Sequence, residues 1–365
     1  MNPVSQRLLS QQLAAPQFKD PAEVVSWFGA MQAQDYKSMR WAVSMRTRRP
    51  SGKAFENAYN DGRIIRTHLL RTTWQLLAGE DLGWMLKLCR RKALAGLRGW
   101  MHSNNVDIPA DEEKRISGIF GEALAGRGSV QKEFLAEALR ERDIQMTEQR
   151  FSYHLRLAEL SGLLCSGKLH PTKRTLALAA EKVRSPLVLS HEEALALLTR
   201  KYFRSHGPAT LEDYVWWSGL NVNDCQRGIA ALGGELRAER WKGRNFYVHA
   251  EARTRGFRRG DVLLLPAFDE YLIGYKSRDI VLHPDHSHNA HNNSGIFYPV
   301  VAIDGSIVGN WSPSANDGGL TLFDEATAVP TETFHAQLAT YRATLKSKRV
   351  RSHSAIDRLS SPSVT

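Results

Sequence analysis

Apolar positions recur at helical spacing through residues 147–162, where Phe151, Leu155 and Ala158 fall on one face behind a Thr147 cap and Gly162 ends the run. The stretch before it, 128–143, opens at Ser129 and reads as a shorter amphipathic helix. After it, "LLCSGKLH" and "RTLALAA" read as two strands around a turn containing Gly167 and Pro171. Helix, turn, helix, hairpin is the order of a winged helix. The order recurs over 205–249. There Thr210 with Asp213 three residues on is an Asp variant of the capping box, Gly219 breaks the helix, and two strands pair around Lys242 and Gly243. A third copy is predicted at the N-terminus, with helices over 4–14, 21–31 and 38–45 and strands over 64–68 and 73–77. Beyond residue 259 the runs become strand-like, and Asp304-Gly305 is a two-residue hairpin turn. The predicted fold class is α+β, mainly α: three tandem winged-helix units (1–80, 81–185 and 186–255), a small antiparallel β-barrel (256–345) and a basic disordered tail (346–365).

Composition adds a partner class. The 365 residues, 42% hydrophobic and 24% charged, suit a globular chain with several cores, and a formal net charge of +11 favours an anionic partner such as nucleic acid. The tail contributes a net +4 of that charge, which leaves +7 for the rest. Three widely spaced cysteines (Cys89, Cys165 and Cys225) make neither a disulfide framework nor a zinc pattern. With no apolar run of membrane length and no signal-peptide-like start, the expectation is a cytoplasmic protein.

The candidate chemistry starts at "MQAQD". Gln32 and Gln34 stand two residues apart with Asp35 directly after, where one helix is expected to end and another to begin. Amides at that spacing do not share a face of a helix. At a helix boundary such side chains ordinarily satisfy backbone groups, and Asp35 reads equally as an N-cap. Arg66, His68 and Arg71 lie on or beside the first predicted wing, where they would touch phosphate or line a lesion pocket, or else stay exposed or pair within the protein. Arg150, His154 and Arg156 lie on the second unit's would-be recognition helix. Trp216-Trp217 reads as packing, and Asp269 with Glu270 as barrel structure near a domain contact. His283, His286, His288 and His291 around Asp285 read as a polar loop, without the spacing of a metal site.

Five segments together carry a resemblance: "MQAQD", "IIRTHLLRTTW", "GPATLEDYVWWSGL", "LLPAFDEYLIGY" and "GIFYPVVAIDGSIVGNW". In content and order the chain resembles the winged-helix DNA glycosylases of the AlkZ and YcaQ family, over roughly residues 5–345. The resemblance implies tandem winged helices with a C-terminal barrel, and an enzyme that removes alkylated, typically N7-substituted, purines; with no Lys singled out as a Schiff-base nucleophile, the expected reaction is monofunctional hydrolysis without strand cleavage. Some members also unhook interstrand crosslinks. Gln32-Ala33-Gln34 fits the family's catalytic signature, with Gln32 and Gln34 positioning the attacking water and Asp35 in support. Arg66, His68, Arg71, Gln75, Arg150, His154 and Arg156 are the implied DNA contacts, damaged double-stranded DNA the partner, and no cofactor or metal is implied. The expected state is a monomer. The chain departs from the family pattern at Gln75, where His is expected, and at Ser312-Pro313, where a basic residue usually follows "GNW". A non-catalytic winged-helix DNA-binding protein or transcriptional regulator is the alternative, and a lesion binder that does not cut is a third reading.

Overall fold

The computed structural model describes residues 2–346, so the expected tail lies outside the described residues apart from Lys346. Near the N-terminus, Asp20 and Glu23 form a reciprocal capping box on helix Pro21–Phe28, and Gly29 at φ 80° ends it. The helix therefore stops short of the predicted residue 31, and Met31–Gln32 is instead a short strand. It pairs antiparallel with Trp74–Ala78, whose other edge pairs with Ile64–His68. The register sets Gln32 opposite Gln75 and Thr67 opposite Gln75 on its far side, so all three side chains share one face. Helices Ser38–Ser44 and Gly52–Asn60 lie between the strands in sequence; the second, capped by Ser51, is absent from the sequence expectation.

The middle of the chain holds Leu82–Ser103, Ala110–Leu124, Lys132–Arg140 and Glu148–Leu160. Thr147 caps the last of these through the Arg150 N–H at 3.2 Å. Ser129 does not cap its helix: the helix begins at Lys132, and the Ser129 hydroxyl accepts the Lys168 N–H instead. The hairpin Leu164–Ser166 and Thr175–Leu178 gains a third strand, Val130–Gln131. Farther on, the Thr210–Asp213 capping box forms as read, and Gly219 ends Leu211–Ser218 in the left-handed region at φ 68°. Leu236–Trp241 and Arg244–His249 then pair about the Lys242-Gly243 turn.

The C-terminal strands form one antiparallel sheet in the order Thr321–Leu322, Ser306–Asn310, Val300–Ile303, Val262–Leu265. This corrects the expected closed barrel. Residues 270–273, taken from the sequence as part of a strand-like run, form helix Glu270–Ile273 capped by Asp269, and four strands leave two free edges. Phe334 and Leu338 of helix Thr331–Leu345 pack with Val262, Leu264 and Trp311. A separate apolar cluster joins Ile65 and Leu77 of the first sheet to Trp84, Cys165, Tyr202 and Trp217, so the first sheet is seated against both later segments. No described helix is long and apolar enough to cross a membrane.

Candidate active site

Gln32 and Gln34 stand in different environments. Gln32 is only 5% exposed, its Oε1 accepts the Ala33 N–H at 3.0 Å, and its Nε2 reaches Thr73 Oγ1 at 3.4 Å. Thr73 also accepts from Gln75 Nε2 at 2.8 Å, which leaves Gln75 Oε1 buried without a hydrogen-bond partner. Gln34, beyond the end of the strand, is exposed. Asp35 is half-buried, and its Oδ1 accepts the backbone N–H groups of Lys37 and Ser38 at 3.0 and 2.6 Å, which makes it the turn that feeds helix Ser38–Ser44.

The backbone of the motif is gripped from both ends by buried charged side chains. Glu270 Oε1 accepts the Gln32 N–H at 2.5 Å, and its Oε2 accepts from His206 Nε2 and Trp217 Nε1 at 3.1 and 3.2 Å. Arg66 donates from Nε and Nη2 to the Ala33 carbonyl at 3.1 and 3.0 Å, and the Ala33 N–H bonds the Trp74 carbonyl. The Gln32-Ala33-Gln34 stretch is thus an extended edge held by an acid, a base and a strand, not a helix boundary. Burial lowers the His206 pKa, more than Glu270 raises it, so a neutral imidazole donates its Nε2–H to the carboxylate.

On the opposite face of the sheet Arg66 and His68 meet the middle segment. Both are buried, so of the readings open to them they take that of side chains paired within the protein. His68 Nδ1 bonds Glu159 Oε2, and its ring lies 3.8 Å from that of Trp74. The Arg66 guanidinium covers the Trp74 ring at 3.8 Å, and Arg174 covers it at 4.4 Å. Burial by itself would raise the Glu159 pKa, but Arg174, which donates at 2.7 Å, and His68 outweigh it and hold the carboxyl below its ordinary value. Burial lowers His68 in turn, despite Glu159.

On the second would-be recognition helix, Arg150 is paired bidentately with Glu112, and the buried His154 bonds the same carboxylate at 2.9 Å, so both are engaged within the protein. The Arg150 and His154 bonds depress Glu112 to about 2. Arg156 lies half-buried against the exposed Trp100, 4.7 Å from its ring. Arg71 remains half-buried at the turn joining the two long strands of the first sheet. Trp217 is core, as read, whereas Trp216 is 38% exposed. His283 and Asp285 fall on or beside a short turn of helix, and among the described residues no cluster of three or more His, Cys, Asp or Glu is placed to hold a metal.

The sheet and the residues around it therefore present one exposed amide, Gln34, on an edge whose backbone is fixed by Glu270 and Arg66. Of the predicted residues, Gln32 and Gln75 face each other, Arg66 reaches the motif, Arg150 and His154 share Glu112, and Arg156 lies against Trp100 with its charge acting on His68. Glu270, His206 and Thr73 complete the surroundings. Only Glu270 had a sequence signal, a carboxylate set among apolar and aromatic residues.

A family model described as DNA glycosylase AlkZ-like matches residues 25–346. The chain is 25% identical over 346 residues to an interstrand DNA cross-link repair glycosylase of Streptomyces sahachiroi, covering 91% of this chain and 92% of that protein. The solved structure of Streptomyces sahachiroi DNA glycosylase AlkZ matches with a TM-score of 0.76 at 22% identity, over 94% of this chain and 95% of that one. At that identity the structural likeness speaks for the fold, a mixed α/β arrangement.

Proposed function

Because this chain belongs to the AlkZ-like DNA glycosylase family, we propose that it hydrolyses the N-glycosidic bond of N7-alkylated purines in duplex DNA, with Gln34 holding the attacking water. The observation that carries this reading is the exposed Gln34 amide at the end of a strand fixed by Glu270 and Arg66. An amide cannot deprotonate water, but its carbonyl accepts a water proton and aligns a lone pair with C1′. The C1′–N9 bond breaks, and its electron pair neutralises the cationic purine as it leaves. Because the leaving group is already activated, the protein's task is to place the water and stabilise positive charge on the sugar. Oxygen from water bonds to C1′, and the proton passes to solvent or to Asp35. Gln32, tied to Thr73 and to its own neighbour's N–H, orders the strand and the pocket wall more than the water.

The helix-helix-hairpin order of the three earlier segments supports a reading as tandem winged helices that wrap duplex DNA as a monomer. With S. sahachiroi's relative named for interstrand cross-link repair, crosslinked N7-alkylpurines fall within the proposed substrate class. The test is base release from a duplex carrying one N7-methylguanine, and from an N7-linked interstrand crosslink, by wild type and Gln34→Ala. Release by wild type that collapses in the variant while binding persists supports the reading. No release from either substrate overturns it.

A further inference from the structure

Trp216 carries two guanidinium groups. Arg71 Cζ lies 5.0 Å and Arg278 Cζ 5.8 Å from its ring centroid, and the indole N–H is fixed on the Ile273 carbonyl. Arg71 and Thr72 both occupy the left-handed region, at φ 54° and 60°. Gly219 packs so closely that a Cβ there would stand 3.0 Å from Arg71 Cγ. Three segments distant in sequence thus combine to hold two cations on one partly exposed aromatic ring.

Neither cation is in an ion pair among the described residues, although Glu270 lies near enough to Arg71, and Asp213 to Arg278, to favour their charged forms. Arg71 Nε is buried with no hydrogen-bond partner. Arg278 donates only to the carbonyls of Leu272 and Lys276. The nearby buried acids are committed elsewhere. Glu270 is taken by Gln32, His206 and Trp217, and Asp213 by the N–H groups of Thr210, Lys276 and Ser277. Burial, with the Arg71 charge beside it, lowers Arg278 to about 10. Two like charges held together in a half-buried site repel, and an anion seated between them relieves the repulsion. Exposed Ile296 and Tyr298 stand on either side of Phe297 in the chain, whose ring Arg278 also covers at 4.9 Å, so the site adjoins an apolar rim.

We propose that Arg71, Trp216 and Arg278 form a phosphodiester clip, in which the indole keeps two guanidiniums directed at one backbone phosphate of a DNA strand. Arg71 lies two residues before Thr73, the hydroxyl that joins Gln32 to Gln75, so the clip borders the candidate site. Its placement beside the reacting nucleotide rests on the glycosylase reading; the phosphate contact itself does not.

The test is the salt dependence of affinity for a duplex with one N7-methylguanine and for its intact counterpart. Wild type is compared with Arg71→Gln, Arg278→Gln and the double variant. An arginine that neutralises a phosphate contributes roughly 0.9 to the slope of log K against log salt in B-form DNA. Because the two guanidiniums share one phosphate, the double variant is expected to lose about 0.9 of slope, and each single variant part of it, on both duplexes. Arg71→Lys and Arg278→Lys keep the charge and are expected to keep most of the slope, which separates lost phosphate contact from lost fold. Unchanged slopes in both Gln variants, or equal losses in the Lys variants, overturn the clip. Base release is scored separately. Falling slopes with a wild type that releases no base leave the clip standing and sink the glycosylase reading, whereas release with unchanged slopes does the reverse.

Discussion

Glu270 accepts the backbone N–H of Gln32 at 2.5 Å across 238 residues of sequence. The bond ties the start of the amide motif to the helical turn that follows the Val262–Leu265 strand, and His206 and Trp217 keep the carboxylate in place. A hydrogen bond to a charged group is worth about 1.5–3 kcal/mol, which corresponds to roughly 10- to 100-fold if it is lost only from the reacting geometry. Glu270→Gln, which removes the charge and, with its oxygen toward His206 and Trp217, sets an amide nitrogen against the Gln32 N–H, is expected to slow single-turnover base release by that factor while the affinity for DNA stays within about twofold. A variant that releases base at the wild-type rate would show that the motif needs no such anchor.

The two amides are expected to separate in their effects. Gln34 is exposed, so Gln34→Ala should abolish most base release with a change in unfolding free energy within about 0.5 kcal/mol. Gln32 is buried and faces Thr73 and Gln75, so Gln32→Ala should lower stability by roughly 1–3 kcal/mol as well as activity. Urea titration beside a release assay reads both. Equal stability losses in the two variants would contradict the asymmetry.

What was legible in the sequence is local. Thr147, the Thr210–Asp213 box, Gly219 and the Asp304-Gly305 turn depend on a few neighbouring residues, and each appears where its chemistry puts it. The helix boundary expected at the motif gives way to a strand because Gly29, a glycine in the left-handed region, stops the helix first. Once the chain leaves the helix there, residues 31–32 are free to pair with a strand more than forty positions on. Long-range pairs were invisible for the same reason. Nothing near Arg150 or His154 indicates that Glu112, some forty residues earlier, takes both, and nothing near Gln32 points to Glu270. The expected closed barrel failed at Glu270–Ile273, where an Asp269 cap turned an apolar run into helix.

Arg66 offers a further separation. It holds the Ala33 carbonyl with two N–H groups while its guanidinium covers Trp74. Arg66→Lys retains a charge but cannot supply two donors in one plane, so it should cost about 1–3 kcal/mol of stability and slow base release. Arg66→Gln, which removes the charge, should leave the salt slope for DNA at the wild-type value, because the buried side chain is spent on the Ala33 carbonyl. A reduced slope would instead return Arg66 to the DNA-contacting residues.

Acid stability follows from the buried imidazoles. Burial lowers the folded-state pKa of His68 and of His206 below the unfolded value of 6.5, despite the carboxylate beside each. Between the folded and unfolded values the unfolded chain binds protons that the folded chain does not. Unfolding free energy therefore rises with pH through that window: the stability is fully present above about 6.5 and drains away as pH falls below it. Each such histidine contributes a slope approaching 1.4 kcal/mol per pH unit within the window. Glu112, held down to about 2, adds a second loss that begins only below 4.5. The urea midpoint is thus expected to fall between about pH 7.5 and pH 5.5. A flat midpoint over that range would mean that the folded pKa values of His68 and His206 are unshifted, and a midpoint that rises as pH falls would mean that both are held protonated in the folded protein. Glu270 would then face an imidazolium, and the negative charge assigned to the back of the Gln32 strand would be cancelled there.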